Sequence, residues 1–171
     1  MTIPHNNGRL ATNGRWLDMG LLGLILLLAL SLRFLYAANI SFPPPDDPAY
    51  YVTVARNLYA GRGFTSDVLW QYQMAVAAPT HPAGELWMPL TSWLMALSFL
   101  LFGPSWTAAQ LPGLLCGAGL PALTYAVGRR VLNERGLALA AALLVAVNGV
   151  LSYQSASADS SAPFALVTAM A

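Results

Sequence analysis

LDMGLLGLILLLALSLRFLYAA, residues 17–38, is the stretch on which the fold turns. It is apolar almost throughout, and about twenty residues at 1.5 Å each cross the roughly 30 Å hydrocarbon layer of a bilayer. The stretch therefore reads as a transmembrane helix. Asp18 and Arg33 stand near its ends, where long side chains snorkel to water. Arg9 and Arg15 precede it, and Tyr36-Ala37-Ala38 is a poor cleavage site, so it reads as an uncleaved signal-anchor behind a cytoplasmic tail, residues 1–16.

Composition agrees. The 171-residue chain is 57% hydrophobic and 9% charged, against roughly 25% charged in soluble domains. Its net charge of +1, with no basic cluster interleaved with aromatics, argues against a nucleic-acid partner. Cys116 is the single cysteine, which excludes a disulfide framework and cysteine metal sites and leaves it as a small apolar residue.

Downstream of the first span, Phe42-Pro43-Pro44-Pro45 forms a stiff extended entry to DDPAYYVTVARNLYAGRGF, residues 46–64. Asp46 or Asp47 followed by Pro48 is a helix start, and Gly61 and Gly63 end the helix, expected over about 47–61. Tyr51, Val54, Ala55 and Leu58 form an apolar stripe with Thr53, Arg56 and Asn57 opposite, the pattern of a helix lying apolar side down on a membrane surface. Residues 64–84 read as loop. A second helix, about 86–102, is marginal as a span, and Gly103-Pro104 separates it from an apolar tract at 105–128 that is long enough to cross. Pro112 and Pro121 are expected to kink that tract.

Charge placement then orders the chain. If 86–102 is interfacial or re-entrant, Arg129, Arg130 and Arg135 of the 129–136 loop join the cytoplasmic tail, as the positive-inside rule favours. The expected organisation is thus an external loop at 39–104, a second span at 105–128, a cytoplasmic loop at 129–136 and a third span at 137–154. An external loop at 155–162, carrying Asp159, follows, and a fourth helix begins at 163. That helix is cut at Ala171, which suggests the N-terminal part of a longer polytopic protein, inactive by itself.

Acids at a bilayer surface mark a functional site by default. Asp46 and Asp47 suit general-base chemistry or a divalent cation, whose hard charge prefers oxygen ligands. The plainer role is an N-cap and a partner for the helix dipole. Asp159 returns to the same face from a different helix, or simply caps the helix ahead of Pro163. Glu85 is a third acid or an interfacial anchor. His81 has no metal-binding neighbour at helical spacing and reads as loop. Arg56 and Arg62 are contacts for phosphate or for Asp67, or exposed counter-charges by default. Trp70, Trp87, Trp93 and Trp106 read as interfacial anchors.

The run Asp46, Asp47, Tyr50, Tyr51, Ala55, Arg56, Asn57, Leu58, Gly61, Gly63, Phe64 behind a signal-anchor resembles the first external loop of the GT-C membrane glycosyltransferases. It resembles most the dolichyl- or polyprenyl-phosphate mannosyltransferases, with lipid A aminoarabinose transferases as relatives. WMPLTSWLMALSFLLFG, residues 87–103, is similar to that family's Pro-Leu helix, and the tract from Gly136 to Asp159 and Ser-Ala-Pro-Phe to its second acidic motif. Asp-Glu is frequent where Asp46-Asp47 stand, and Met88-Pro89 replaces a Lys-Pro-Pro-like element.

The resemblance implies an all-α, polytopic helical bundle of GT-C type with interfacial helices in its first external loop, in a plasma membrane, the bacterial inner membrane in particular. It implies transfer of a sugar from a lipid-phosphate-linked donor to a protein, lipid or glycan acceptor on the external face. Asp46 and Asp47 would be catalytic, and Asp159, Arg56, His81 and Glu85 substrate-binding. A divalent metal, with Asp46 and Asp47 as candidate ligands, is left open. The alternative is a polytopic transporter or channel with ion-binding acids, for which inverted repeats with broken helices would be expected; a non-catalytic scaffold is the third reading.

Overall fold

The computed structural model describes residues 7–69, 80–84, 87–132 and 134–171. Its helices are α1 (Asn7–Ala38), α2 (Asp47–Tyr59), α3 (Leu90–Phe102), α4 (Trp106–Val131), α5 (Arg135–Ala146), α6 (Gly149–Ala156) and α7 (Ser161–Met170). A two-residue antiparallel pair, β1 (Thr65–Ser66) with β2 (His81–Pro82), ties down part of the segment read as loop. Trp16–Ala38 and Trp106–Val131 are long and apolar enough to cross a membrane, and α5 with α6 makes a third such segment bent by 51°. This is an all-α integral membrane protein.

Its packing follows from a lipid surround. Facing surfaces carry small residues: Ala29 and Ala37 of α1, Ala138, Ala142 and Ala146 of α5, and Ala156 of α6 are all buried. Leu24, Leu27, Leu35, Leu115 and Leu144 point outward. Lipid tails are as apolar as leucine, so the gain comes from close backbone approach, which small residues permit. Gly113 and Gly117 of α4, one turn apart, mark the closest point. A Cβ on Gly113 would strike the Ser155 backbone, and one on Gly117 would strike the Ser155 hydroxyl and Arg33.

Pro112 and Pro121 lie inside α4, which continues through both. Pro112 has no N–H to offer the carbonyl of Ala108. Ser98 of α3 donates its hydroxyl to that carbonyl instead, at 2.7 Å. The freed acceptor thus becomes the joint between α3 and α4.

The tract read as one span over 137–154 is broken at Val147-Asn148. Asn148 restarts the helix, its side chain accepting the Leu151 N–H at 2.9 Å. The break leaves the last carbonyls of α5 without helical partners. Arg33 takes one: its Nη1 donates to Ala146 O at 3.3 Å and to Ala29 O at 2.9 Å. The expectation that Arg33 snorkels to water is corrected here, since its exposure is 0%. It falls in the stripe Ala29, Arg33, Ala37, one turn apart, that α1 turns into the bundle.

Asp18 is also enclosed rather than snorkelling. It meets Arg135 Nη2 at 2.5 Å and the Tyr125 hydroxyl at 3.4 Å. This pair joins α1, about three turns in from its first residue, to the last turns of α4 and the start of α5. Arg129 and Arg130 belong to the last turn of α4, so the connection to α5 is shorter than the loop expected at 129–136.

Candidate active site

The acid pair sits where the chain turns from α1 into α2. Asp46 occupies the N-cap position and its backbone carbonyl accepts the Ala49 N–H at 3.0 Å. Its carboxylate makes no capping hydrogen bond and is exposed. Geometry thus gives Asp46 the place of a cap while leaving its side chain available. Asp47 follows in the first turn, half-buried, with Pro48 behind it.

The apolar side of α2 rests on protein, not on a membrane surface as its periodicity suggested. Tyr50, Tyr51, Val54 and Ala55 pack with Met95 and Phe99 of α3, Ala108 and Ala109 of α4, and Ala158. Asn57, expected on the wet face, is fully buried. The chain after α2 folds back over it. Asn57 Nδ2 donates to Thr65 O at 3.1 Å and to its hydroxyl at 3.2 Å, and its Oδ1 accepts from Arg62. Trp93, Leu97, Leu100, Leu101 and Phe102 leave α3 with an exposed apolar face on the side away from α2.

Two side chains of α4 bring the acidic segments to one end. Trp106 Nε1 donates to Ile40 O at 2.6 Å, just beyond α1. Buried Gln110 donates its amide to Ala37 O at 3.3 Å and to Ala156 O at 2.8 Å, the terminal carbonyls' region of α1 and of α6. From Ala37 the chain runs on to Asp46; from Ala156 it runs on to Asp159.

The turn holding Asp159 is strained. Ala158 has φ 61°, a left-handed conformation costing a non-glycine residue roughly 1–2 kcal/mol, and it is fully buried against α2. Asp159 Oδ1 accepts the Ser161 N–H at 2.8 Å and the Ser161 hydroxyl at 2.7 Å. Asp159 therefore serves the start of α7, and it also faces α2. Tyr51 lies close enough to Ser160, Asp47 and Asp159 for each of them to act on its phenol. Burial chiefly pushes the Tyr51 phenol above its ordinary value; the neighbouring Ser160 side chain works against the rise and the two carboxylates add to it. Asp47, Asp159 and Ser160 thus lie around Tyr51, with Asp46 next to Asp47 in the chain.

The other candidate residues lie apart from it. Arg56 is exposed on α2, and nine residues at about 100° and 1.5 Å each put it about 14 Å along the helix from Asp47 and half a turn around. His81 pairs with Ser66 and stands beside Asp67. Asp67 accepts the Thr80 hydroxyl at 2.6 Å, which chiefly holds its carboxyl below the usual range, and Arg62 reaches it at 4.0 Å. This second polar group locks the loop. Glu85 and Trp70 lie outside the described residues. Trp87 stacks on Tyr50 at 5.0 Å, and Trp106 is a bridge between helices rather than a plain surface anchor. Among the described residues no three His, Cys, Asp or Glu side chains converge as an ion site. Gln110 and Ser160 had no part in the sequence reading; a lone amide inside a charge-free apolar run was the available signal for the first.

The sequence profile of the dolichyl-phosphate-mannose-protein mannosyltransferase family matches residues 80–171, more than half of the chain. The chain belongs to this family. The match takes in α3 to α7 and Asp159; Asp46, Asp47 and α2 precede it. No curated protein and no solved structure matches the chain closely enough to compare. Membership makes it a membrane protein of mannosyltransferase type.

Replacing Gln110 with Met keeps the volume and strands the Ala156 carbonyl, while the Ala37 carbonyl keeps the Ile40 N–H at 3.1 Å. Each buried acceptor left unpaired costs roughly 1–3 kcal/mol, so thermal unfolding in detergent should move to clearly lower temperature. An unchanged transition would show that the amide does not hold the two helix ends.

Proposed function

We propose that this chain carries the catalytic carboxylates of a GT-C-type transferase. It moves a sugar, mannose or a close relative, from a polyprenyl-phosphate donor to a hydroxyl on a protein, lipid or glycan acceptor. The observation that carries the reading is the meeting of two acidic segments, remote in sequence, around Tyr51. Family membership supplies the reaction class.

Asp46 is the general base. It takes the proton of the acceptor hydroxyl while that oxygen bonds to the anomeric carbon. The bond from the anomeric carbon to the donor phosphate oxygen breaks, and polyprenyl phosphate leaves with the electron pair, inverting the anomeric centre. Asp47 supports Asp46 electrostatically, and Asp159 lines the same cavity with its second carboxylate oxygen. The donor stays in the bilayer by its lipid chain, so a site at the bundle's end, beside the apolar outer face of α3, is where its sugar phosphate would lie. Arg56, His81 and Glu85 are assigned to the rim, as contacts for donor or acceptor. Any divalent ion would have Asp46 and Asp47 as its first ligands.

The acids occupy one end of the bundle and Arg129, Arg130 and Arg135 the other. Three arginines at one end favour its placement in the cytoplasm, which sets the acids on the external face of a plasma membrane. The α3 helix, about 20 Å long at 1.5 Å per residue, is short for a span and lies at the external surface.

Asp46→Asn removes the base and keeps the shape. Transfer of labelled mannose from polyprenyl-phosphate mannose, measured in membranes holding the whole protein, should fall by about 10²–10⁴-fold; a wild-type rate would end the catalytic assignment. For orientation, Glu134→Cys in a Cys116→Ala background should react with an impermeant maleimide only after permeabilisation. Labelling in intact cells would reverse the topology.

A further inference from the structure

We propose that Arg33 is a positioning residue for the transfer: by tying the α5–α6 break to α1, it fixes the bend that carries Asp159 to the acid pair. The inference rests on the reading of those acids as the reaction site and adds the element that sets where the second acidic segment lies.

An arginine inside a membrane bundle is costly and marks a functional position by default. Arg33 is fully buried and only partly satisfied. Its Nη1 donates to Ala29 O at 2.9 Å and to Ala146 O at 3.3 Å, while Nε and Nη2 have no partner. Gly117 leaves room for the unpaired edge, since a Cβ there would lie 2.8 Å from Nε. A methionine would fill similar space with no donor left unmet, and an apolar side chain in place of a buried charge is often neutral or stabilising. Stability of the bundle does not account for Arg33.

The Ala146 carbonyl does account for it. In a continuous helix that carbonyl would accept the Val150 N–H, four residues on. A straight tract makes that bond and needs no arginine. The bent tract opens it, and Arg33 supplies the donor, with its charge at the negative end of the α5 dipole. Asn148 permits the break by capping α6 at 2.9 Å, but a cap sets no direction. Arg33 does, because the same nitrogen is bound to α1. Gly149 fits this bearing, its missing Cβ clearing the Tyr36 hydroxyl of α1 by 3.2 Å.

Direction matters because α6 is a lever. Its eight residues span about 12 Å. Swinging that length through the 51° of the bend moves its far end by about 10 Å. Asp159 follows three residues beyond Ala156, the last residue of α6. Bent, the helix delivers Asp159 beside α2; straight, it carries Asp159 away.

The test uses the whole protein in membranes. Spin labels on Leu35→Cys and Tyr153→Cys, both at exposed positions, in a Cys116→Ala background, report the bend by pulsed dipolar spectroscopy. Straightening moves position 153 by about 6 Å, so Arg33→Met should shift the distance distribution by several ångströms. Asn148→Leu, which restores an unbroken apolar helix, should shift it the same way. Without labels, and with polyprenyl-phosphate mannose as donor, each variant should lose about 10²-fold or more in activity. Arg33→Met should unfold no lower than wild type. Combined with Asp159→Ala it should be no worse than the poorer single variant, because both take the same carboxylate from the site. An unchanged distance distribution, wild-type activity, or losses that multiply with Asp159→Ala would overturn the proposal. So would unfolding lowered in step with activity, the mark of an arginine that only supports the fold. Should Arg33→Met not accumulate in membranes, Asn148→Leu decides by distance and activity. Asp46→Asn run in parallel separates the two levels. Inactive Asp46→Asn beside fully active Arg33→Met sinks only the positioning role, whereas fully active Asp46→Asn sinks the site and this inference together.

Discussion

One buried amide, that of Gln110, ties the end of α1 to the end of α6. A helix leaves its last four carbonyls unpaired, and in lipid no water is present to take them. Gln110 meets one from α1 and one from α6 with two donors on a single nitrogen. α1 leads toward Asp46 and α6 toward Asp159, so the same nitrogen joins the two helix ends from which the acidic segments run on. Trp106, one turn earlier on α4, repeats the device on Ile40.

The same constraint, that freed backbone carbonyls find donors, arranges much of the rest of the bundle, although Arg33 Nε and Nη2 and the Ser92 and Ser152 hydroxyls are buried without a partner. Ser98 meets the carbonyl freed by Pro112, Arg33 meets the carbonyl freed at the α5–α6 break, and Asp18 meets Arg135 at the opposite end. Apolar burial contributes little to choosing these partners, since leucine is as well placed in lipid as in protein. Small residues decide how near the helices come, and unsatisfied backbone groups decide where they stop.

Much of this was legible in the sequence. The lengths of the apolar tracts reveal α1 and α4, and Asp47-Pro48 and Gly61 bracket α2. The positions of Asp46, Asp47 and Asp159 as candidate acids came from their surroundings in the chain. What stayed hidden depends on distance. Gln110 contacts residues 73 and 46 positions away, and no local pattern records that. Helical periodicity placed Asn57 on the wet face correctly for an isolated helix, and the returning loop then buried it. Arg33 resembled a snorkelling end residue because the break it serves, at Asn148, lies in a different tract. Asn148 itself, an N-cap residue amid apolar neighbours, was a readable signal of that break. The family match covers α3 to α7 and leaves the acid pair to be argued from geometry.

The central claim is spatial: the segment after α1 and the segment after α6 meet. The most direct measurement is crosslinking of Asp47→Cys with Asp159→Cys, in a Cys116→Ala background, by a short bifunctional thiol reagent in native membranes. The account predicts an intramolecular crosslink for this pair and none when Glu134→Cys replaces Asp159→Cys. Absence of the 47–159 crosslink with both thiols reactive, or equal crosslinking of the 47–134 pair, would contradict it.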